Sequence, residues 1–457
     1  MHKHTIMSNK KAALELGTRP IGQLLVQYAL PAIVAMVAMS LYNVVDSIFI
    51  GQGVGALAIA GLAITFPFMN LSAAFGAAIG VGASTLLSVK LGQRDYDIAN
   101  RILGNNVLLN IIVGVLFAAV SLFWLDGILR FFGASDATLP YAHDYMVIIL
   151  LGNAVTHLHL GLNAMLRAAG KPRQAMYLTV ATVIINALLD PLFIYTFEMG
   201  IRGAAVATIL SQALALICQW WMFSRKTELV HFEGSKMHLE SSIVKGIFSI
   251  GISPFAMNAC ACLVVIFTNN SLMHYGGDMA VGGFGIANRF AFIFVMITLG
   301  VCQGMQPITG YNFGAQNYNR MLEALKLAAI TGTIVCAVGF FLAMLCPNFI
   351  ASMFTSDPSL IDHSVVAMYY IMALFFIIGA QMVITNFFQS IGSAKVAIFL
   401  SLSRQLIFLV PMILILPQFM GLNGVWLAMP LSDGIAAIMA YTMIAVYIRK
   451  IKREKPF

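Results

Sequence analysis

Charge is what this chain has least of. Only 10% of its 457 residues are Asp, Glu, Lys or Arg, against roughly a quarter in a soluble domain. Hydrophobic residues make up 60%, and the mean hydropathy is +0.88. An ordinary soluble fold is excluded. Cysteine is scarce as well. Cys218, Cys260, Cys262, Cys302, Cys336 and Cys346 all fall in apolar runs, and Cys260 and Cys262 point to different helix faces. No disulfide framework or metal-ligand spacing results, and core packing is their expected role. No nucleotide-cradling loop, metal-ligand motif or nucleophile constellation is present, which argues against a membrane enzyme and against ATP-driven work by this chain. No loop resembles a selectivity filter. The apolar runs lack the alternation of a membrane β-barrel.

What is present is a succession of apolar runs of about 20 residues, the length that crosses ~30 Å of hydrocarbon. They lie near 21–43, 56–80, 104–125, 140–160, 175–197, 203–223, 244–270, 282–306, 325–347, 365–388, 396–417 and 425–448. Helices satisfy every backbone group internally in lipid, so twelve transmembrane helices are expected in an all-α membrane protein. The first twenty residues are polar and basic and show no cleavable signal. An inside N-terminus puts all of the 26 Lys and Arg except Arg130, Arg202 and Arg289 on the cytoplasmic side. Both termini are therefore expected in the cytoplasm. The net charge of +8 reads as an anionic-leaflet signature, with membrane lipids rather than nucleic acid as the partner.

The chain is written twice. "ALPAIVAM" around Pro31 matches "GISPFAMN" around Pro254, a shift of 223 residues. "KLGQRDY" matches "NFGAQNY" and "RAAGKPRQA" matches "QSIGSAKVA", both at 222, and "MGIRGAAVATILS" matches "MGLNGVWLAMPLS" at 221. A repeat of six helices, an even number, makes both halves enter the membrane the same way. Parallel repeats of this kind place substrate between two lobes and alternate access by rocking them. The expected division is a cytoplasmic segment at 1–20, an N-lobe at 21–223, a cytoplasmic linker at 224–243, a C-lobe at 244–448 and a basic cytoplasmic tail at 449–457. The charges of the linker favour a solvated segment over a domain.

The two copies differ where chemistry is expected. Asp46 maps to Thr268 or Asn269, Asn186 to Phe408, Asp190 to Met412 and Thr208 to Met429. Two intramembrane carboxylates with polar company thus belong to the N-terminal half alone, and such groups are functional candidates by default. Asn186 and Asp190 are four apart and share a helix face. Pro191 lacks an N–H, which removes the usual helix partner of the Ala187 carbonyl. Asp46 has Tyr42 and Asn43 on its own face. Hard oxygen donors of this kind suit Na⁺, and paired carboxylates in a low dielectric equally suit a proton, because both cannot ionise cheaply. The competing reading makes each aspartate one half of a structural ion pair. No Lys or Arg lies mid-span in this half to serve it.

Other residues carry weaker signals. Pro31 should kink the first helix 15 residues before Asp46, roughly 22 Å along its axis; the bend is either static or responsive to the carboxylates. Asp433, in the last span, is expected to pair with Arg404 or Arg289 in a structural role. His157 and His159 of the fourth span could relay protons or simply be satisfied core groups. Asn163 is expected to join the polar cluster. Among 27 Met and 32 Phe, some should line a cavity of soft, re-packable surface.

Read together, "LYNVVDSIFIG", "LRAAGKPRQA", "NALLDP", "GIRGAAVATILSQ", "GIANR", "GYNFGAQNY" and "SRQLIFLVP" resemble the MATE (multidrug and toxic compound extrusion) transporters over residues 18–448. The pattern is closest to the DinF- and MepA-like bacterial branch. The resemblance implies a V-shaped pair of six-helix lobes around a central cavity in the bacterial plasma (inner) membrane. It implies export of cationic, lipophilic compounds in exchange for H⁺ or Na⁺ by a monomer without a cofactor. It also carries the coupling-ion role onto Asp46, Asn186, Asp190 and Thr208, with Na⁺ as one candidate ligand of those four. NorM-like members place an acid in the seventh helix; here "SPFAMNACACLVVIFTNN" has none, so the coupling falls to the N-lobe. The alternative is a flippase for a lipid-linked precursor on a related fold. It would need a more cationic cavity than a chain with almost all its basic residues in loops provides.

Overall fold

The computed structural model describes residues 15–454, with the side chains of Leu41, Asn43, Val44, Ala56, Cys262 and Glu454 outside that description. The described residues form helices and connecting turns, with no strand among them. The helices are α1 (Ile21–Gly53), α2 (Ala56–Gly92) and α3 (Tyr96–Phe123). The fourth, α4, is a pair, Leu139–Leu151 and Asn153–Ala168, bent by 56°. Pro172–Pro191 runs on through the π-turn Leu192–Thr196 as α5, and Ile201–Phe223 is α6. A continuous 74-residue stretch, Ser241–Gly314, is two helices that meet at Gly277 (φ 65°), here α7 and α8. Tyr318–Leu345 is α9, and the pair Pro358–Ile371 and Phe375–Ser390, bent by 52°, is α10. Ala394–Leu402, Ser403–Leu409 and Val410–Met420 make α11, and Leu422–Glu454 is α12. Nine described helices are long and apolar enough to span on their own. Dividing the longest at Gly277 and counting each bent pair once gives the twelve expected.

The repeat is visible in the backbone. Positive φ recurs at Arg94 (61°) and Gln316 (59°), at Gly170 (89°) and Gly392 (75°), and at Gly200 (56°) and Gly421 (57°). Each pair is separated by the shift of the sequence repeat. Glycine is suited to the second and third pairs because left-handed backbone costs it nothing. Helix starts follow local rules. Asp95 caps α3 by accepting the Ile98 N–H at 3.2 Å, and Asp357 accepts the Ser359 N–H at 2.9 Å ahead of α10. Pro172 and Pro358 occupy the first turns of α5 and α10, where a missing N–H is harmless.

The described residues divide into two compact units, 15–19 together with 34–255, and 20–33 together with 256–454. The sequence boundaries at 21 and 244 and the unit boundaries differ for a packing reason. In the first unit, a Cβ on Gly82 would lie 2.2 Å from the Ile247 carbonyl oxygen, and one on Gly251 2.3 Å from that of Ala78. The start of α7 is thus locked onto α2. In the second unit, a Cβ on Gly304 would lie 2.5 Å from Ala29 Cα, and one on Gly300 2.6 Å from Ile33 Cγ1, which locks the start of α1 onto α8. Gly82 and Gly304 are repeat partners, so equivalent helix pairs are packed through the same glycine in both copies, about one helical turn apart in register. Each helix leaves one unit for the other beside a proline, Pro31 in α1 and Pro254 in α7.

The linker is ordered rather than standing free in solvent. Lys236 Nζ bridges Asp97 at 2.8 Å and Glu233 at 2.7 Å, and Asn100 Nδ2 donates to Glu233 at 2.8 Å. Arg101 reaches Glu240 at 3.2 Å, and Lys171 reaches Glu228 at 2.6 Å. Charges of both signs on the linker find opposite charges on the first unit. Lys236 accordingly holds Glu233 below the usual carboxylate range, and Asp97, then Glu233, raise Lys236.

Candidate functional site

The polar cluster lies wholly within the first unit, where α1, α4, α5 and α6 each contribute. Asp190 and Asn186 are fully buried on α5, Thr208 is 4% exposed on α6 and Asp46 5% exposed on α1. Four-residue spacing brings Asn186 and Asp190 together as expected. Asn186 fits best with its amide turned so that Nδ2 donates to Asp190 Oδ2 at 3.1 Å and Oδ1 accepts the Thr208 N–H at 3.2 Å. The Thr208 hydroxyl donates its one proton to the Ala204 carbonyl at 3.0 Å. Tyr42 must therefore be the donor in its 2.7 Å contact with Thr208 Oγ1. Asp46 and Asp190 are close enough to interact electrostatically.

Asp46 Oδ1 is buried without a hydrogen-bond partner, and among the described residues neither carboxylate has a Lys or Arg partner. A buried carboxylate oxygen left open is costly. It is a position a cation or proton can fill. The oxygens of the cluster, from two carboxylates, an amide and a hydroxyl, are hard donors of the kind that suit Na⁺, and the carboxylates equally suit H⁺. Among the described residues no three His, Cys, Asp or Glu side chains are grouped to hold a metal.

One member of the cluster escaped sequence reasoning. Tyr145 of α4, 1% exposed, lies in the neighbourhood of Asp46, Tyr42, Asp190 and Thr208. A buried tyrosine hydroxyl needs a partner. Its repeat counterpart is Ala367, so the same comparison of halves could have found it.

Asn163, expected in the cluster, and His157, read as a proton relay or a satisfied core group, both sit elsewhere. Asn163 donates to the Ala175 carbonyl and Thr179 Oγ1, both at 3.1 Å, and accepts from Arg167. It ties the inner end of α4 to α5 and does not join the carboxylates. His157 Nε2 lies 2.9 Å from the Ser72 carbonyl, and Ser72 Oγ donates to Asn153 at 2.6 Å. That network staples α2 to α4, with His157 Nδ1 unpartnered. The Asn43 side chain lies outside the described residues. Pro31 is inside α1, three residues before the unit boundary. In the second unit Arg404 Nε pairs with Asp433 at 2.7 Å, and Arg289 makes no ion pair among the described residues.

Fold and cluster define a polytopic helical membrane transporter built of two parallel repeats, with a carboxylate site in one of them. The MatE family profile matches residues 31–192 and 254–415, one copy per repeat, and the chain belongs to that family of transporters. It is 26% identical over 423 residues to the multidrug export protein MepA of Staphylococcus haemolyticus, covering 93% of this chain and 92% of that one. It is 25% identical over 429 residues to MepA of Staphylococcus aureus, covering 94% of each. Among solved structures, an outward-facing multidrug resistance MATE transporter of the MOP superfamily superposes with a TM-score of 0.90 at 24% identity, over 96% of this chain and 98% of that one. A MATE crystallised in complex with MaL6 gives 0.90 at 25% identity, over 96% and 99%.

Proposed function

We propose that the protein is a secondary antiporter that exports cationic, lipophilic organic compounds in exchange for H⁺ or Na⁺ by alternating access. It works as a multi-pass monomer of the bacterial plasma membrane with both termini in the cytoplasm. The observation that carries this reading is the Asp46–Asp190 pair, desolvated, without a basic partner, and confined to one repeat of a MatE-family transporter. The relatives described as multidrug export proteins support the substrate class.

Asp46, Asn186, Asp190 and Thr208 bind the coupling cation, and Tyr42 and Tyr145 orient Thr208 beside them. An uncompensated pair of carboxylates in a low dielectric is unfavourable. Loading by a proton or sodium ion relieves it, and Pro31, inside the continuous helix α1, is where a change in the curvature of that helix would be easiest. Dye efflux from proteoliposomes under a pure proton gradient, and then a pure sodium gradient, identifies the ion. Asp46→Asn and Asp190→Asn should each reduce efflux to background while the protein still inserts. Wild-type efflux by both variants would remove the coupling role from these residues.

A further inference from the structure

A second polar site lies at the far end of the same unit, away from the carboxylates. It is a cleft of about 230 Å³ between the start of α5 and the end of α6, lined by Lys171, Gln174, Tyr177, Trp221, Arg225 and Glu228. Lys171 and Glu228 are paired at 2.6 Å, and the Arg225 guanidinium stacks 3.5 Å from the centre of the Trp221 ring. An ammonium carries three donors, so Lys171 keeps donors beyond the one given to Glu228. With Arg225 added, the cleft has a net positive charge. Arg225 forms no ion pair among the described residues.

The surface leading to the cleft shows what it faces. On α6, Leu214, Ile217 and Trp221 are 41%, 64% and 60% exposed along one side; on α5, Tyr177, Ile184 and Leu188 are 62%, 54% and 68% exposed. The two helices pack side by side. A stripe of exposed aliphatic groups on spanning helices is a lipid-facing surface. It ends in exposed Tyr177 and Trp221, the residue types that mark the interface level, and then in Lys171 and Arg225.

We propose that this cleft holds the phosphate of an anionic phospholipid of the cytoplasmic leaflet, with the acyl chains along the α5–α6 stripe. Arginine offers phosphate a planar fork of donors, and lysine adds a point charge. Basic pockets between helices on the cytoplasmic side recognise lipid headgroups in this way. Because Glu228 belongs to the linker and Lys171 to the α4–α5 turn, the lipid would also fasten the linker to the unit. The site is independent of which compound or ion is transported.

The test is native mass spectrometry of the full chain, transferred from detergent with phosphatidylglycerol or phosphatidylcholine at equal ratio. One phosphatidylglycerol should be retained in preference to phosphatidylcholine. Arg225→Gln, at an exposed position, should weaken that retention on the order of fivefold. Lys171→Gln/Glu228→Gln, which removes the ion pair without stranding a charge, should weaken it to a similar extent. Excess inorganic phosphate should leave the lipid in place. Equal retention of the two lipids, or unchanged retention in both variants, would overturn the site. Displacement by inorganic phosphate would overturn the lipid as its occupant.

Discussion

An aspartate in an apolar span costs on the order of 3 kcal/mol by insertion scales, so its neighbours decide what it is for. Asp433 has Arg404 at 2.7 Å and is neutralised where it stands. Among the described residues Asp46 and Asp190 have no Lys or Arg partner, Asp190 has Asn186 beside it, and an oxygen of Asp46 is left open. Tyr145 lies in the same neighbourhood. Tyr145→Phe keeps the ring volume and should cost about 1 kcal/mol of stability or less. It should slow export severalfold, short of the complete loss expected for Asp46→Asn. Efflux at the wild-type rate in the phenylalanine variant would reduce Tyr145 to packing. Asp46, Asn186, Asp190 and Thr208 were legible in sequence because two copies of one repeat could be compared and the unusual copy read off, and Tyr42 because it lies four residues before Asp46 on the same helix face. Tyr145 passed unnoticed because the comparison was applied around the acidic motifs and not to the fourth span, where a tyrosine faces Ala367. Asn163 was expected in the cluster and lies beyond the 56° bend of α4 after Leu151, on the stretch that ties to the start of α5. Residues beyond the bend follow a different axis from Tyr145, and spacing along an ideal helix no longer reports their depth.

At the level of the helix, glycine contacts decide which segments belong together. Gly304→Val would drive a β-branched side chain into Ala29, whose Cα is already 2.5 Å from the site of a Cβ. Overpacking of this kind costs about 1–3 kcal/mol, and backbone on the far side cannot give way as a flexible side chain could. The variant should melt at a lower temperature in detergent than the wild type. Gly127→Ala, in the short helix Leu125–Phe131 that follows α3, is the control: nothing beyond its own helix lies within 4 Å of its Cβ position, and alanine favours a helix by up to about 1 kcal/mol. Equal melting of the two variants would mean that the α1–α8 contact contributes nothing to stability. Helix number and order were legible from apolar run length alone. The break near Gly277 was legible too, falling in the gap between the runs at 244–270 and 282–306; the bends in α4 and α10 were not, since hydropathy reports how much of a span is apolar and not the direction it takes. The docking of the linker was hidden for a similar reason. Its charges read as solvated until Asp97, Arg101 and Lys171 are seen opposite them.

For the whole molecule, the sequence repeat and the compact units are two different divisions of one chain. A repeat records where the polypeptide was duplicated, whereas a unit records which surfaces exclude solvent together. The two part company at α1 and α7, whose first turns pack on the helices of the other half. Residues 20–33 complete the second unit, and the stretch beginning at Ser241 and running to Phe255 completes the first. A chain cut within the linker, between Leu229 and Val230, therefore yields two fragments, neither of which contains a whole unit. The first would expose the α2 surface around Ala78 and Gly82 that α7 covers. The second would expose Gly300 and Gly304, which α1 covers. Close backbone packing of this kind is a main source of helix association in lipid, where no hydrophobic drive remains. Expressed singly, each fragment should be degraded or should aggregate when extracted. Expressed together, they should co-purify and restore dye efflux, since the cut removes no contact within either unit. A fragment that is monodisperse and heat-stable alone would show that the exchanged turns are dispensable. Co-purification without efflux would instead locate in the intact linker a role in transport beyond holding the two halves in one chain.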